Sequence, residues 1–157
     1  MKYILVFRII FCLLWLIIIN TVRTYGNNLL CRSCGSLITN DRAIIHKNSP
    51  LNSGEYIQNV VGVNATIQKF INPANEEFDV MIVNGATLMY HGDPSFEATW
   101  YPNYQWTICL CRKCRKHMGW YFSKPRQEKD GFIGLILDRL ISEAYVDQMI
   151  LPPGMDE

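Results

Sequence analysis

Two groups of residues in this 157-residue sequence have types and spacings that could do chemistry: the cysteines beyond residue 26, and the aromatic residues between Glu97 and Phe122. Four of the five cysteines form two C-x-x-C pairs, Cys31-Arg32-Ser33-Cys34 and Cys111-Arg112-Lys113-Cys114. Each pair can turn two thiolates toward one point across a tight knuckle. Two pairs complete a tetrahedral set of soft donors, which suits one structural zinc ion with no position left for substrate. Disulfides compete with this reading if the chain is exported. The odd cysteine count argues against a complete disulfide framework, and the strand–helix pattern that carries redox dithiols is missing. The fifth cysteine, Cys109, shares a strand face with Thr107 and Cys111 and reads as a small buried residue. His117 follows Cys114 at ligand spacing, but with four thiolates available it reads as a packing or hydrogen-bonding residue.

Trp100, Tyr101, Tyr104, Trp106, Trp120, Tyr121 and Phe122 make the second group. A tryptophan fills a large volume and brings an indole donor that needs a partner when buried. Three of them near one knuckle mean either a dense core or the walls of a box, and composition alone does not choose.

The elements that must position these residues are mainly strands. Trp106–Cys111 alternates large apolar with smaller residues, Gly119–Phe122 reads as the next strand, and Ile57–Ile71 is rich in β-branched residues with no helical stripe. Asn84-Gly85 between Phe78–Val83 and Ala86–Tyr90 predicts a hairpin, because both residues tolerate positive φ. Asn72-Pro73, Asp93-Pro94 and Tyr101-Pro102 read as turns. A single helix is expected over Phe132–Met149, ended by Pro152-Pro153-Gly154.

Residues 1–26 carry a basic start, an apolar run from Ile9 to Ile19 and Thr24-Tyr25-Gly26, the pattern of a secretory signal peptide cleaved near Gly26. The run is short for a membrane span. Membrane contact is therefore expected only through this segment, and the mature protein is expected outside the cell. Lys2, Arg8 and Arg23 leave with it, taking the 15 basic residues to 12 against 14 acidic ones, a formal net charge of −2. That balance lacks the footprint of a nucleic-acid binder. Asn64-Ala65-Thr66 is a glycosylation sequon, usable only in the secretory pathway.

Trp100-x-Pro102-x-Tyr104-x-Trp106-Thr107, followed by Cys111-x-x-Cys114-x-x-His117-x-Gly119-Trp120-x-Phe122, closely resembles the CULT domain family, the thalidomide-binding domain of cereblon. Cys31-Arg32-x-Cys34 matches that family's first knuckle, Asn72-Pro73 its sensor turn, and Phe132-x-Gly134-Leu135 its closing segment. The resemblance implies an all-β fold, a β-tent of two antiparallel sheets pinned by a four-cysteine zinc site, with a short C-terminal helix. It places a CULT domain at 27–145 and a tail at 146–157. It also implies a ligand box with Trp100, Trp106 and Trp120 as walls, Phe122 at the base and Asn72 and Pro73 at the sensor turn. The backbone of Ala98 and Trp100 would meet an imide there. The implied ligands are glutarimide rings of thalidomide type, uracil- or uridine-like compounds, and C-terminal cyclic imides of damaged proteins. The family commonly has histidine where this chain has Ala98, which removes one side-chain contact.

These residues predict a non-enzymatic binding module. A methionine-R-sulfoxide-reductase-like enzyme on the same scaffold would need a cysteine on a late strand, and none follows Cys114. An interaction domain with a purely structural aromatic core is the third reading. With about 30 residues before the first knuckle, no docking of a ubiquitin-ligase adaptor is expected.

Overall fold

Strand pairing explains most of the molecule, because the central strands are apolar on both faces. The computed structural model describes residues 27–150, so the expected signal peptide lies outside the described residues. The strands are β1 (Asn28–Cys31), β2 (Leu37–Asn40), β3 (Gly54–Val60), β4 (Val63–Ile71), β5 (Glu77–Val83), β6 (Leu88–Ser95), β7 (Gln105–Cys111), β8 (His117–Lys124), β9 (Gln127–Ile136) and β10 (Leu140–Ser142). They form a three-stranded sheet, β10-β1-β2, and a seven-stranded sheet, β3-β4-β5-β9-β8-β7-β6, with antiparallel pairing throughout. One helix, α1 (Glu143–Ile150), follows β10. The expected mainly β fold of two antiparallel sheets with a short C-terminal helix is what the chain adopts. Among the described residues no helix is long and apolar enough to cross a membrane.

The central strands of the large sheet are buried on both faces. Along β5, Met81 and Val83 enter one apolar cluster with Leu29, Ile38, Ile67, Cys109, Met118 and Leu135, while Val80 and Ile82 enter another with Phe70, Tyr101, Phe122 and Phe132. This period-two division sorts successive residues between a face under the small sheet and a face under the aromatic segment.

Two-sided burial also explains where the predicted helix over Phe132–Met149 fails. Phe132–Ile136 belongs to β9, pairing with both β5 and β8, and a 3-10 turn over Leu137–Arg139 leads into β10. A strand covered on both faces reads as a continuous apolar run, which periodicity alone cannot separate from a helix. Only the last turns, from Glu143, are helical.

The hairpin predicted at Asn84-Gly85 does not form. Both edges of β5 are already taken by β4 and β9, and β6 pairs with β7 at the far side of the sheet. Neither Asn84 nor Gly85 has a positive φ, and the segment instead bonds to an earlier stretch: Asn84 N–H to Ala43 O at 2.9 Å, Thr87 N–H to Ile38 O at 2.7 Å, and Thr39 Oγ1 to Gly85 O at 2.8 Å. Two-residue hairpins form elsewhere, at Pro125-Arg126 between β8 and β9 and at Val61-Gly62 between β3 and β4, where both residues have positive φ (46° and 87°). Asp93-Pro94 is likewise no turn between elements. It lies inside β6, at an irregular stretch of the edge where proline removes no ladder bond.

The small sheet joins the two ends of the described chain: Leu29 pairs with Ser142, and Asn28 Nδ2 donates to Glu143 Oε2 at 2.8 Å.

Candidate functional site

Each C-x-x-C pair sits at the turn of a hairpin. The β1–β2 turn is closed by Cys31 N–H to Ser36 O at 2.8 Å and Gly35 N–H to Cys31 O at 2.8 Å; the β7–β8 turn by Cys111 N–H to Lys116 O at 2.9 Å and Arg115 N–H to Cys111 O at 3.0 Å. The residue after each second cysteine is left-handed, Gly35 at φ 71° and Arg115 at φ 61°. The two turns are thus the same device built twice, facing each other.

They bring four sulfurs together. Cys31 Sγ lies 3.6 Å from Cys114 Sγ, Cys34 Sγ lies 3.6 Å from Cys111 Sγ, and all four are within 4.8 Å of one another. Disulfide bonding needs about 2.05 Å, so these are free thiols. Four thiolates about 2.3 Å from one tetrahedral ion would stand roughly 3.8 Å apart, which this spacing matches. Burial pushes the Cys31 thiol up to about 12. Burial acts on Cys111 too, but the N–H groups of Cys114 and Lys113 and the Ser36 hydroxyl outweigh it and draw that thiol down to about 6. Ser36 Oγ lies 3.2 Å from both Cys34 Sγ and Cys111 Sγ. The convergence of these four sulfurs is consistent with a metal site.

Cys109 is fully buried, its thiol pushed up by that burial to about 12. His117 is not among the clustered donors: Nε2 pairs with Gly119 O at 3.0 Å, the ring meets the edge of Trp120 at 4.7 Å, and burial lowers its pKa.

The aromatic group occupies the other end of β7 and β8. Trp106 and Phe122 face each other across these strands, and Trp120 lies two residues before Phe122 on the same face. Trp100 comes from the loop after β6. Its ring stacks on Phe70 at 4.5 Å and meets Trp120 edge-on at 4.7 Å and 72°. No ring contact joins Trp106 to either of the other indoles among the described residues. Between them lies a cavity of about 290 Å³ lined by Asn72, Pro73, Glu97, Ala98, Trp100, Trp106, Trp120 and Phe122. All seven residues of the expected box therefore line one hollow.

What keeps the hollow open is how its edges are tied. Trp106 Nε1 donates to Glu97 O at 2.7 Å and Trp100 Nε1 to Ile71 O at 3.2 Å, so both indoles direct their donors to backbone carbonyls and line the hollow, Trp100 with one face on Phe70. The Ser49 hydroxyl donates to the Trp100 carbonyl, and Ser49 N–H donates to Gln68 Oε1 at 2.8 Å. Gln68 Nε2 also donates to Tyr101 Oη at 3.1 Å, anchoring the loop to β4. The Trp100 carbonyl is thus already taken. Ala98 makes no hydrogen bond among the described residues and holds a left-handed φ of 48°, strained for alanine, so its peptide groups remain available at the wall. The sensor turn is self-supporting: Asn72 Nδ2 donates to Glu76 Oε2 at 2.7 Å, and Glu76 N–H to Asn72 Oδ1 at 2.8 Å.

Comparison with known proteins finds cereblon relatives. The chain is 38% identical to protein cereblon of Gallus gallus over 60 residues, which is 38% of this chain and 14% of that protein. It is 37% identical to the Drosophila erecta protein over 68 residues (42% and 11%), and 38% identical to the Xenopus tropicalis protein over 60 residues (38% and 13%). This chain carries a cereblon CULT-like domain. The match spans at most about one-seventh of each of these relatives. No protein-family model matches the chain.

Several residues of the CULT-like site were not singled out by sequence reasoning. Glu97 lines the hollow and supplies the carbonyl that holds Trp106. Phe78 packs on both Trp100 and Trp120, at 5.9 and 5.1 Å, and Phe70 backs Trp100. Ser49 and Gln68 set the loop. These act through contacts between strands far apart in sequence, which no local motif announces; only Glu97, next to Ala98, stood close to the recognised pattern.

Proposed function

We infer that this domain is a secreted, non-enzymatic receptor for small neutral rings, cyclic imides of glutarimide type or uracil-like compounds, including cyclic imides at the C-termini of proteins. The observation that carries this reading is a hollow with three indole walls, two of which turn their donors outward. Such walls cover the methylenes or faces of a flat ring, and the free peptide groups of Ala98 can address its N–H and carbonyl. Covering about 150 Å² of apolar surface contributes roughly 4 kcal/mol. Two or three hydrogen bonds away from water add about 1 kcal/mol each, entropic losses on association offset part of this gross gain, and micromolar binding is expected.

The four clustered thiols are read as the ligands of one structural zinc ion, since an all-sulfur tetrahedral set selects it and leaves no open position for reaction. The buried, protonated Cys109 supports binding over turnover, because a nucleophile needs an accessible thiolate. The Ile9–Ile19 run and the small residues before Asn27 support export.

Tryptophan fluorescence during titration with thalidomide or uracil tests the reading. Saturable change that Trp106→Ala abolishes is expected. Folded, metal-loaded protein that fails to respond up to millimolar imide would remove it. One zinc per chain by elemental analysis is expected alongside.

A further inference from the structure

The two edges of the large sheet are protected unequally. At one end β6 carries Pro94, Gly92 and a register irregularity, devices that blunt an edge against pairing with another chain. At the other end β3 reads Gly-Glu-Tyr-Ile-Gln-Asn-Val, with no proline, no lysine and a regular register against β4 from Gly54 to Val60. Ile57 on this strand is 64% exposed, and beyond β3 no strand pairs among the described residues. An open, regular edge with an exposed branched side chain invites a second copy.

The sequon lies beside this edge. Asn64-Ala65-Thr66 begins β4, and it is the chain's one Asn-x-Ser/Thr triplet. Asn64 is exposed, directly opposite Asn59 of β3, and Thr66 is directly opposite Ile57. Asn64, Thr66, Ile57 and Asn59 therefore share one face, while Ala65 between them points into the core. Beyond the backbone ladder, the Asn64 side chain makes one weak contact, accepting from Nδ2 of its ladder partner Asn59 at 3.4 Å. A group on its amide nitrogen would project over the outer face of β3 without displacing packed atoms.

We propose that Asn64 is an N-glycosylation site whose glycan shields the open β3 edge. The proposal rests on the export reading above. In the transfer, Asn64 Nδ2 gives up one proton and forms a C–N bond to the anomeric carbon of a lipid-pyrophosphate-linked oligosaccharide. The anomeric C–O bond breaks, and the lipid pyrophosphate leaves with the bonding electrons. The Thr66 hydroxyl is the second element the sequon requires. In the folded chain it lies 3.1 Å from His46 Nδ1.

The test is expression of the full chain in animal cells, with Asn64→Gln, Thr66→Ala and Thr66→Ser beside the parent. Parent and Thr66→Ser are expected in the medium with a mass increment that peptide N-glycosidase removes, leaving aspartate in place of Asn64. Asn64→Gln and Thr66→Ala should lack the increment. In sedimentation velocity the glycosylated chain should run as a monomer, and Asn64→Gln should shift toward dimer at tens of micromolar; adding Ile57→Lys should reverse the shift. Exported parent without the increment overturns the glycan while leaving export standing. Parent retained in the cytosol overturns both. Glycosylated parent whose Asn64→Gln variant stays monomeric overturns the shielding role.

Discussion

The two ends of β7 treat their side chains in opposite ways. At one end Cys111 joins three other thiols drawn to a point; five residues earlier, roughly 17 Å along the strand, Trp106 stands back from its neighbours and leaves a hollow. At the thiol end four sulfurs converge on one point, an arrangement that a cation would complete. At the aromatic end the donors of Trp100 and Trp106 are satisfied outward, so the walls remain apart without a ligand. The first would serve stability, by tying β1 to a strand far along the chain, and the second is the place of the recognition proposed above. The difference teaches that removing an atom from the first should cost the fold, and from the second the function.

The largest expected effect is at the thiol end. Cys111→Ser, or chelation, should cost about 5 kcal/mol or more, a large share of the roughly 5–15 kcal/mol that stabilises an ordinary domain, and thermal melts by circular dichroism should register it. If chelated protein kept its melting temperature, the comparison would break. Acid acts in the same direction. The Cys111 thiol is lowered from its ordinary 9.0 to about 6, so its contribution is complete above 9 and fades as pH falls through 6. Metal content after dialysis at a series of pH values should drop across that interval.

Gly119→Ala should come next, because β8 serves both ends there. Gly119 has φ 147°, and an added Cβ would lie 1.9 Å from the Gly134 carbonyl oxygen on β9. A loss of about 3 kcal/mol is expected, with ligand response and denaturation midpoint falling together; binding lost at unchanged stability would contradict it.

Trp106→Ala sharpens the contrast most directly. Imide affinity should fall about 100-fold, roughly 3 kcal/mol, while metal content stays at one per chain and the protein remains folded. The smallest effect separates the two knuckles themselves. Gly35 occupies its left-handed position freely, whereas Arg115 holds the same backbone against the crowding of a side chain. Arg115→Gly should stabilise by about 0.5 kcal/mol in urea unfolding, and Gly35→Ala should do the reverse.

Both ends were legible in the sequence because each announces itself by residue type over a short span: C-x-x-C twice, and tryptophans at fixed intervals around Pro102 and Gly119. Strand β7 was legible too, since its two faces differ in chemistry. Less legible was anything decided by which strands become neighbours. Phe132–Ile136 looked helical because β9 is covered on both sides, and alternation vanishes when both faces are dry. Asn84-Gly85 had the chemistry of a hairpin turn, but both edges of β5 were occupied by β4 and β9. One of the true tight turns uses Val61, a branched residue at φ 46° that local preference would reject, and its neighbours in the ladder hold it there. Glu97, Phe78 and Ser49 became visible only once distant strands had brought them to the hollow.

The pairing of Leu29 with Ser142 has a practical outcome. The first and last strands, β1 and β10, lie side by side in the small sheet, which covers the face of the large sheet opposite the aromatic segment. A dye, bead or fused partner attached to this sheet would sit behind the aromatic hollow and leave its mouth unobstructed, so one tether could turn the proposed receptor into a surface-mounted sensor for small rings.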